Sequence, residues 1–175
     1  NLMYKVDDLI MYGTTGVCRI EAISREEFSP DNVQLYYVLQ PLYQSGTIYA
    51  PVDNQKVYTR PIISKDAANS LIDEIPSVEA EAVKCSSIQQ LSKYYQGIID
   101  THDCRDLIKL AKSIHVKEEA ANKQNRNLGQ IDKKFMKRAR DLLFGEMAAA
   151  LEISIDDVAG YINRRVDEDI IQEVD

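Results

Sequence analysis

The chain has no tryptophan, two histidines and three cysteines among its 175 residues. Cys18, Cys85 and Cys104 are odd in number and far apart, so they supply neither a disulfide framework nor the paired spacing of a zinc site. Reduced core thiols are expected. No uninterrupted apolar run approaches the roughly 18 residues a membrane span needs. The opening Asn1-Leu2-Met3 lacks the charged and apolar regions of an export signal, so a cytoplasmic protein with no membrane partner is expected. An excess of positive charge is also missing. The net charge of −7 excludes a nonspecific coat on nucleic acid. That acidity is uneven: residues 151–175 carry −6, whereas residues 128–150 carry +2, which leaves room for a local basic face.

What is present is average for a globular chain, with 45% apolar and 28% charged residues in a length that suits one ordinary domain or two small ones. All five prolines lie in the first 76 residues, and seven of the ten tyrosines lie in the first 60. Short β-branched and aromatic runs at residues 8–12, 17–24, 35–40, 47–52 and 57–62 predict five strands. Turn chemistry separates them at Gly13-Thr14-Thr15-Gly16, Ser29-Pro30-Asp31-Asn32, Ser45-Gly46 and Asp53-Asn54. Five such strands without a helical period between them suggest a small antiparallel barrel.

After Ile63 the period becomes helical. Ser64 caps a first helix with the stripe Ala68, Leu71, Ile72 and Ile75, and Pro76 follows. Ile88, Leu91, Tyr95, Ile98 and Ile99 form a second stripe; Leu107, Leu110, Ala111 and Ile114 form a third, capped near Asp103. Residues 117–129 are polar and read as a fraying helix end and a loop. Phe135, Met136, Ala139, Leu142, Leu143, Met147, Ala150 and Leu151 give the strongest helical signal, and Ser154-Ile155-Asp156-Asp157 opens a last helix with Val158, Ala159, Ile162 and Val166 inward. The expected fold is α+β: a five-stranded antiparallel barrel over residues 3–63, an all-helical bundle of about five helices over 64–167, and an acidic tail at 168–175.

Catalytic ingredients are thin. His102 and Cys104 stand two apart at a helix start, but adjacent positions on a helical turn do not aim these side chains at each other, and a cap beside a buried thiol accounts for them. His115 near a helix end suits the carbonyl dipole there. Asp156-Asp157 and Asp167-Glu168-Asp169 lack the glycine-pivoted spacing of a calcium loop, and Gly13-Thr14-Thr15-Gly16 lacks the Lys-Ser/Thr ending of a phosphate cradle. Neither enzymatic activity nor a metal or cofactor is expected.

Two features suit binding. Gly46-Thr47-Ile48-Tyr49-Ala50-Pro51 is an extended apolar strand ending in proline, which cannot donate to a ladder; such a strand fits a sheet edge open to a partner strand, or else an internally paired strand with Tyr49 inward. Lys133, Lys134, Lys137, Arg138 and Arg140 cluster on the polar flanks of the strongest helix. Cations at that spacing meet successive phosphates, or simply solvate an amphipathic helix. Lys84 and Lys93 flank the second helix and extend the same surface.

Several segments together resemble one family. Tyr4-Lys5-Val6-Asp7-Asp8-Leu9-Ile10-Met11-Tyr12, Gly16-Val17 and Ile20-Glu21-Ala22-Ile23 are similar to the opening of the CarD/CdnL family of bacterial transcription regulators. Tyr36-Tyr37-Val38-Leu39 and Ile48-Tyr49-Ala50-Pro51 resemble its third and fourth strands. Residues 135–148, from Phe135-Met136-Lys137-Arg138-Ala139-Arg140 to Gly145-Glu146-Met147-Ala148, resemble its helix reading roughly A-R-x-L-x-x-G-E-L-A.

The resemblance implies a Tudor-like N-terminal domain, also found in transcription-repair coupling factors, that docks on the β subunit of RNA polymerase by its edge strand. The docking residues would be Thr47, Ile48, Tyr49, Ala50, Pro51 and Val52, with Arg25 near them. It further implies that the helical domain meets promoter DNA, with Lys93, Lys133 and Lys137 on the backbone, and modulates the open complex. Many members wedge a tryptophan into the minor groove; here Ile88 stands in that region, with less area to stack and no ring donor. DNA contact is expected to be weak for the free protein and strengthened by tethering to polymerase. A monomer is expected. The rival reading is a protein-protein adaptor without DNA contact.

Overall fold

Gly13 and Gly16 lie between the first two extended runs at φ +50° and +93°, the left-handed region that favours glycine. A Cβ on Gly13 would sit 2.8 Å from Val57 Cγ1, so the turn is closed against the segment leading to the last strand. The computed structural model describes residues 2–53 and 56–171, in two compact units that divide between Ile63 and Ser64.

In the first unit, β1 (Leu9–Tyr12), β2 (Gly16–Ser29), β3 (Asn32–Pro41), β4 (Ile48–Pro51) and β5 (Thr59–Pro61) form one antiparallel sheet in the order β4-β3-β2-β1-β5. Because β4 and β5 are its two ends, the expected barrel is an open sheet among the described residues. The Asp53-Asn54 turn lies in part outside those residues. β2 runs five residues beyond the expected strand, through Arg25-Glu26-Glu27-Phe28-Ser29, to a two-residue turn at Pro30-Asp31. Tyr4, Ile10, Cys18, Ile20, Tyr37, Leu39 and Ala50 make the buried core on one face. The Tyr4 backbone N–H donates to Tyr37 Oη at 3.1 Å and Tyr4 Oη donates to Thr59 Oγ1 at 3.0 Å, which joins the N-terminal segment to two strands.

The second unit holds α1 (Lys65–Glu74), α2 (Ile88–Ile99), α3 (Cys104–Lys123), α4 (Gln130–Leu151) and α5 (Val158–Val166). The caps expected at Ser64 and Asp103 are present: Ser64 Oγ accepts from the Ala67 N–H, and the Asp103 carboxylate from Arg105 and Asp106; Ser87 Oγ, not singled out in the sequence, accepts from the Gln90 N–H to cap α2. Arg105 bonds Glu74 at 2.9 Å and Arg165 bonds Asp73 at 2.8 Å, tying α3 and α5 to α1. Among the described residues the chain is thus α+β, a five-stranded antiparallel sheet followed by five α-helices.

Two expectations change. α3 continues to Lys123 where a fraying end was expected from 117, because Lys117 is anchored to the buried Asp132 carboxylate of α4 at 2.9 Å. Ile88 does not join the inward stripe of α2: it is the first helical residue and is 69% exposed, while Tyr95 and Ile99 are buried. The acidic tail at 168–175 is described only through Ile171, whose backbone is clamped by the Asn163 side-chain amide at 2.7 and 2.9 Å.

Candidate functional site

Each unit carries one candidate, and each is built from its own elements. In the first, β4 pairs only with β3 among the described residues, in the register Tyr36↔Pro51, Tyr37↔Ala50, Val38↔Tyr49 and Leu39↔Ile48. The Val52 N–H donates to the Leu35 carbonyl at 2.9 Å. Hydrogen-bonded pairs alternate along an antiparallel ladder, so Val52, Ala50 and Ile48 turn their backbone groups toward β3. The N–H and C=O of Tyr49 and the C=O of Pro51 therefore face the open side. Pro51 has no N–H to leave unpaired there.

The same alternation sorts the side chains. Ala50 enters the core, whereas Tyr49 emerges on the other face, 43% exposed, beside Tyr36 and Phe28. Their rings meet edge to face, with Phe28 to Tyr49 at 5.2 Å and Phe28 to Tyr36 at 5.1 Å between centroids. Phe28 was missed in the sequence because Arg25-Glu26-Glu27 interrupts the apolar pattern; the period-2 set Ser24, Glu26, Phe28 is the signal that recovers it. Arg25 pairs with Leu35, one step out of phase with Ser24 and Tyr36, so its side chain leaves the face opposite Tyr49. Of the expected docking residues, Ile48 and Val52 pack against the core and Thr47 precedes the strand, exposed.

In the second unit, α2 and α4 flank a surface groove. Ile88, Lys93 and Gln96 line it from α2, and Lys134, Phe135 and Arg138 line it from α4. Phe135 is buried and packs its ring 5.4 Å from that of Tyr95. Lys134 Nζ and Arg138 Cζ lie 5.7 and 5.4 Å from its centroid, within range of the ring's negative face. The buried ring thereby helps seat the two cations at the groove wall.

The five cations of α4 consequently divide into two rows. At about 100° per residue, positions 134 and 138 share the groove side while 133, 137 and 140 lie on the next flank. In that second row Lys137 pairs with Asp141 at 2.6 Å and Arg140 lies over the Phe144 ring at 4.9 Å. Among the described residues, Lys93, Lys133, Lys134 and Arg138 form no salt bridge, so the groove keeps its positive charge. Lys84 is exposed in the segment ahead of α2 and does not line the groove.

Behind the groove, Tyr95 Oη donates to Asp132 Oδ1 at 2.6 Å, and Lys117 Nζ reaches the same oxygen at 2.9 Å. Burial, reinforced by that bond to Asp132, raises the Tyr95 pKa and keeps the phenol protonated. This cross-brace of α2, α3 and α4 was not legible, since one aspartate among many gives no sign of burial. Cys104 is also buried and its thiol donates to Glu146 Oε1 at 3.2 Å, so the thiol is hydrogen-bonded across to α4.

Among the described residues, no group of three His, Cys, Asp or Glu side chains is arranged to hold a metal ion, and no helix is long and apolar enough to cross a membrane. No curated protein matches the chain by sequence. Residues 4–63, which include all five strands, match the family model of the CarD-like/TRCF RID domain.

Proposed function

We propose, from the match of residues 4–63 to the CarD-like/TRCF RID family model, that the chain is an RNA polymerase-interacting, transcription-associated protein that docks on the polymerase β subunit through the outer side of β4. The observation that carries this is the Tyr49 backbone, without a strand partner on its open side among the described residues, at the end of the sheet order β4-β3-β2-β1-β5. A partner strand added there gains main-chain bonds, and Tyr49 with Phe28 offers contact area on one face. The β4 edge would be Tudor-like in use, with no catalytic step.

The helical unit then contacts promoter DNA and modulates open-complex stability. Support comes from the α2–α4 groove, where Lys93, Lys134 and Arg138 stand without salt-bridge partners among the described residues and Ile88 protrudes at its mouth. Such cations hold the phosphate backbone without reading sequence, and an apolar side chain at the groove favours unstacked DNA. On an acidic chain this contact is weak alone and gains from tethering to polymerase. The protein would act in the cytoplasm of a bacterium and as a monomer.

The test is the lifetime of a promoter complex with polymerase. Lys134→Glu with Arg138→Glu shortens it if the groove holds DNA; an unchanged lifetime with polymerase binding intact favours the adaptor that touches no DNA. Retention of Tyr49→Glu on the β subunit at wild-type strength would remove the docking proposal.

A further inference from the structure

The groove cations share their surroundings with one acid, Asp100, at the C-cap of α2. Between that carboxylate and Arg138 lies a single side-chain amide. Gln96 Oε1 accepts from Arg138 Nη1 at 3.0 Å, and Gln96 Nε2 donates to Asp100 Oδ1 at 2.9 Å. The orientation of the amide follows from its neighbours, because a guanidinium only donates and a carboxylate only accepts. A glutamine satisfies both without carrying charge itself.

The neighbouring row shows what happens without such a spacer. Lys137 and Asp141, one helical turn apart within α4 on an exposed face, close into a direct pair at 2.6 Å. Asp100 and Arg138 line one groove, yet each is bonded to an end of Gln96, and neither forms a salt bridge among the described residues. The guanidinium is held further by the Phe135 ring beneath it. Two contacts thus fix its position, and neither neutralises it.

We propose that Gln96 is a positioning residue of the groove: it occupies Asp100 and orients Arg138, keeping the two from pairing, so that the full charge of Arg138 is presented to a DNA phosphate. The inference rests on the reading of the groove as a DNA contact. It explains why Arg138 remains charged beside an acid while Lys137, in the next row, is paired with Asp141.

The experiment uses the full chain and a fluorescent 20-base-pair duplex, with affinity measured across a salt series starting at low ionic strength. Wild type binds, and Arg138→Ala reduces the slope of log affinity against log salt by about 1, as expected for one lost phosphate contact. Gln96→Leu lets Asp100 capture Arg138 and weakens binding about threefold or more; Asp100→Asn restores it, with a gain about three times larger in the Gln96→Leu background than in wild type. Gln96→Glu, nearly the same shape, keeps the melting temperature and reduces the slope like Arg138→Ala. A structural role alone would lower the melting temperature and show no rescue by Asp100→Asn. Additive effects of the two substitutions, or wild-type binding by Gln96→Leu, overturn the inference while leaving the groove reading intact. Duplex binding that survives Lys134→Ala with Arg138→Ala removes the groove reading itself, as does wild type that fails to bind, and the inference falls with it.

Discussion

Lys137 Nζ sits 2.6 Å from Asp141 Oδ2, one turn further along α4, with both side chains exposed. An exposed pair of this kind contributes roughly 0.3–0.5 kcal/mol to stability, but it removes most of the net charge that the lysine offers to a phosphate. Resemblance placed Lys137 among the backbone contacts, and under the proposed groove contact its pairing would leave it a smaller part than Arg138. Lys137→Ala is expected to change duplex affinity less than Arg138→Ala. Asp141→Asn frees the ammonium and should steepen the salt slope by up to about 1 while leaving the melting temperature nearly unchanged. A salt titration of the two alanine variants and the asparagine variant checks both statements.

Asp132 is nearly fully buried and is held by Tyr95 and Lys117 from two other helices. Tyr95→Phe keeps the ring against Phe135 and removes one bond to a charged acceptor, a loss of about 1.5–3 kcal/mol. Asp132→Ala is expected to cost more, about 3 kcal/mol or above, since Lys117 then lacks its counter-charge in a largely buried place. Urea unfolding monitored by far-UV circular dichroism measures both, and an unchanged denaturant slope would show that the unfolded state is unaffected.

The fold was legible where side-chain period and turn chemistry agree. Gly13 and Gly16 mark the first hairpin, Ser64 and Asp103 cap their helices, and the Phe135–Leu151 stripe is inward at Phe135, Ala139, Leu143, Met147 and Leu151. Charge obscured the rest. Arg25-Glu26-Glu27 hid the outer half of β2 because a two-stranded hairpin extending past the core exposes both faces to water and needs no alternation. Ile88 was drawn into an inward stripe because period alone does not tell the first residue of a helix from one covered by a neighbour. The candidate DNA row was named as a cluster, yet its division depends on which flank meets α2 and on Asp141, both tertiary facts. Gln96 carried no signal at all, since an amide acquires a role only from its two neighbours.

Cys18 lies in the sheet core, fully buried, and burial pushes its thiol pKa up to about 11. A raised pKa means that the folded state favours the protonated thiol relative to the unfolded chain, whose value is 9.0. That contribution is complete below pH 9 and is lost as pH rises through about 11. The melting temperature of the wild type should therefore fall more steeply between pH 9 and 11 than that of Cys18→Ala, which lacks the thiol and starts lower because of the small cavity. Thermal unfolding at several pH values reads the difference between the two curves; parallel curves would contradict it.

The ladder phase at β4 makes proline a discriminating probe of the docking edge. The Tyr49 N–H points to the open side, while the Ala50 N–H points to β3 opposite Tyr37. Tyr49→Pro removes only an outward donor, a placement that sheet edges tolerate. Ala50→Pro removes an inward one and leaves a Tyr37 carbonyl unpaired in a buried region, a loss of about 1–3 kcal/mol before any strain is counted. Tyr49→Pro should thus melt closer to wild type than Ala50→Pro does, yet bind the polymerase β subunit about fivefold or more weakly, as the loss of one main-chain bond of about 1 kcal/mol predicts. Tyr49→Phe separates the side chain from the backbone: it keeps the N–H and the ring contact with Phe28, and should bind within about twofold of wild type. If Tyr49→Pro and Tyr49→Phe bind alike at wild-type strength, the partner strand does not use this edge, and attention shifts to the Phe28 face alone.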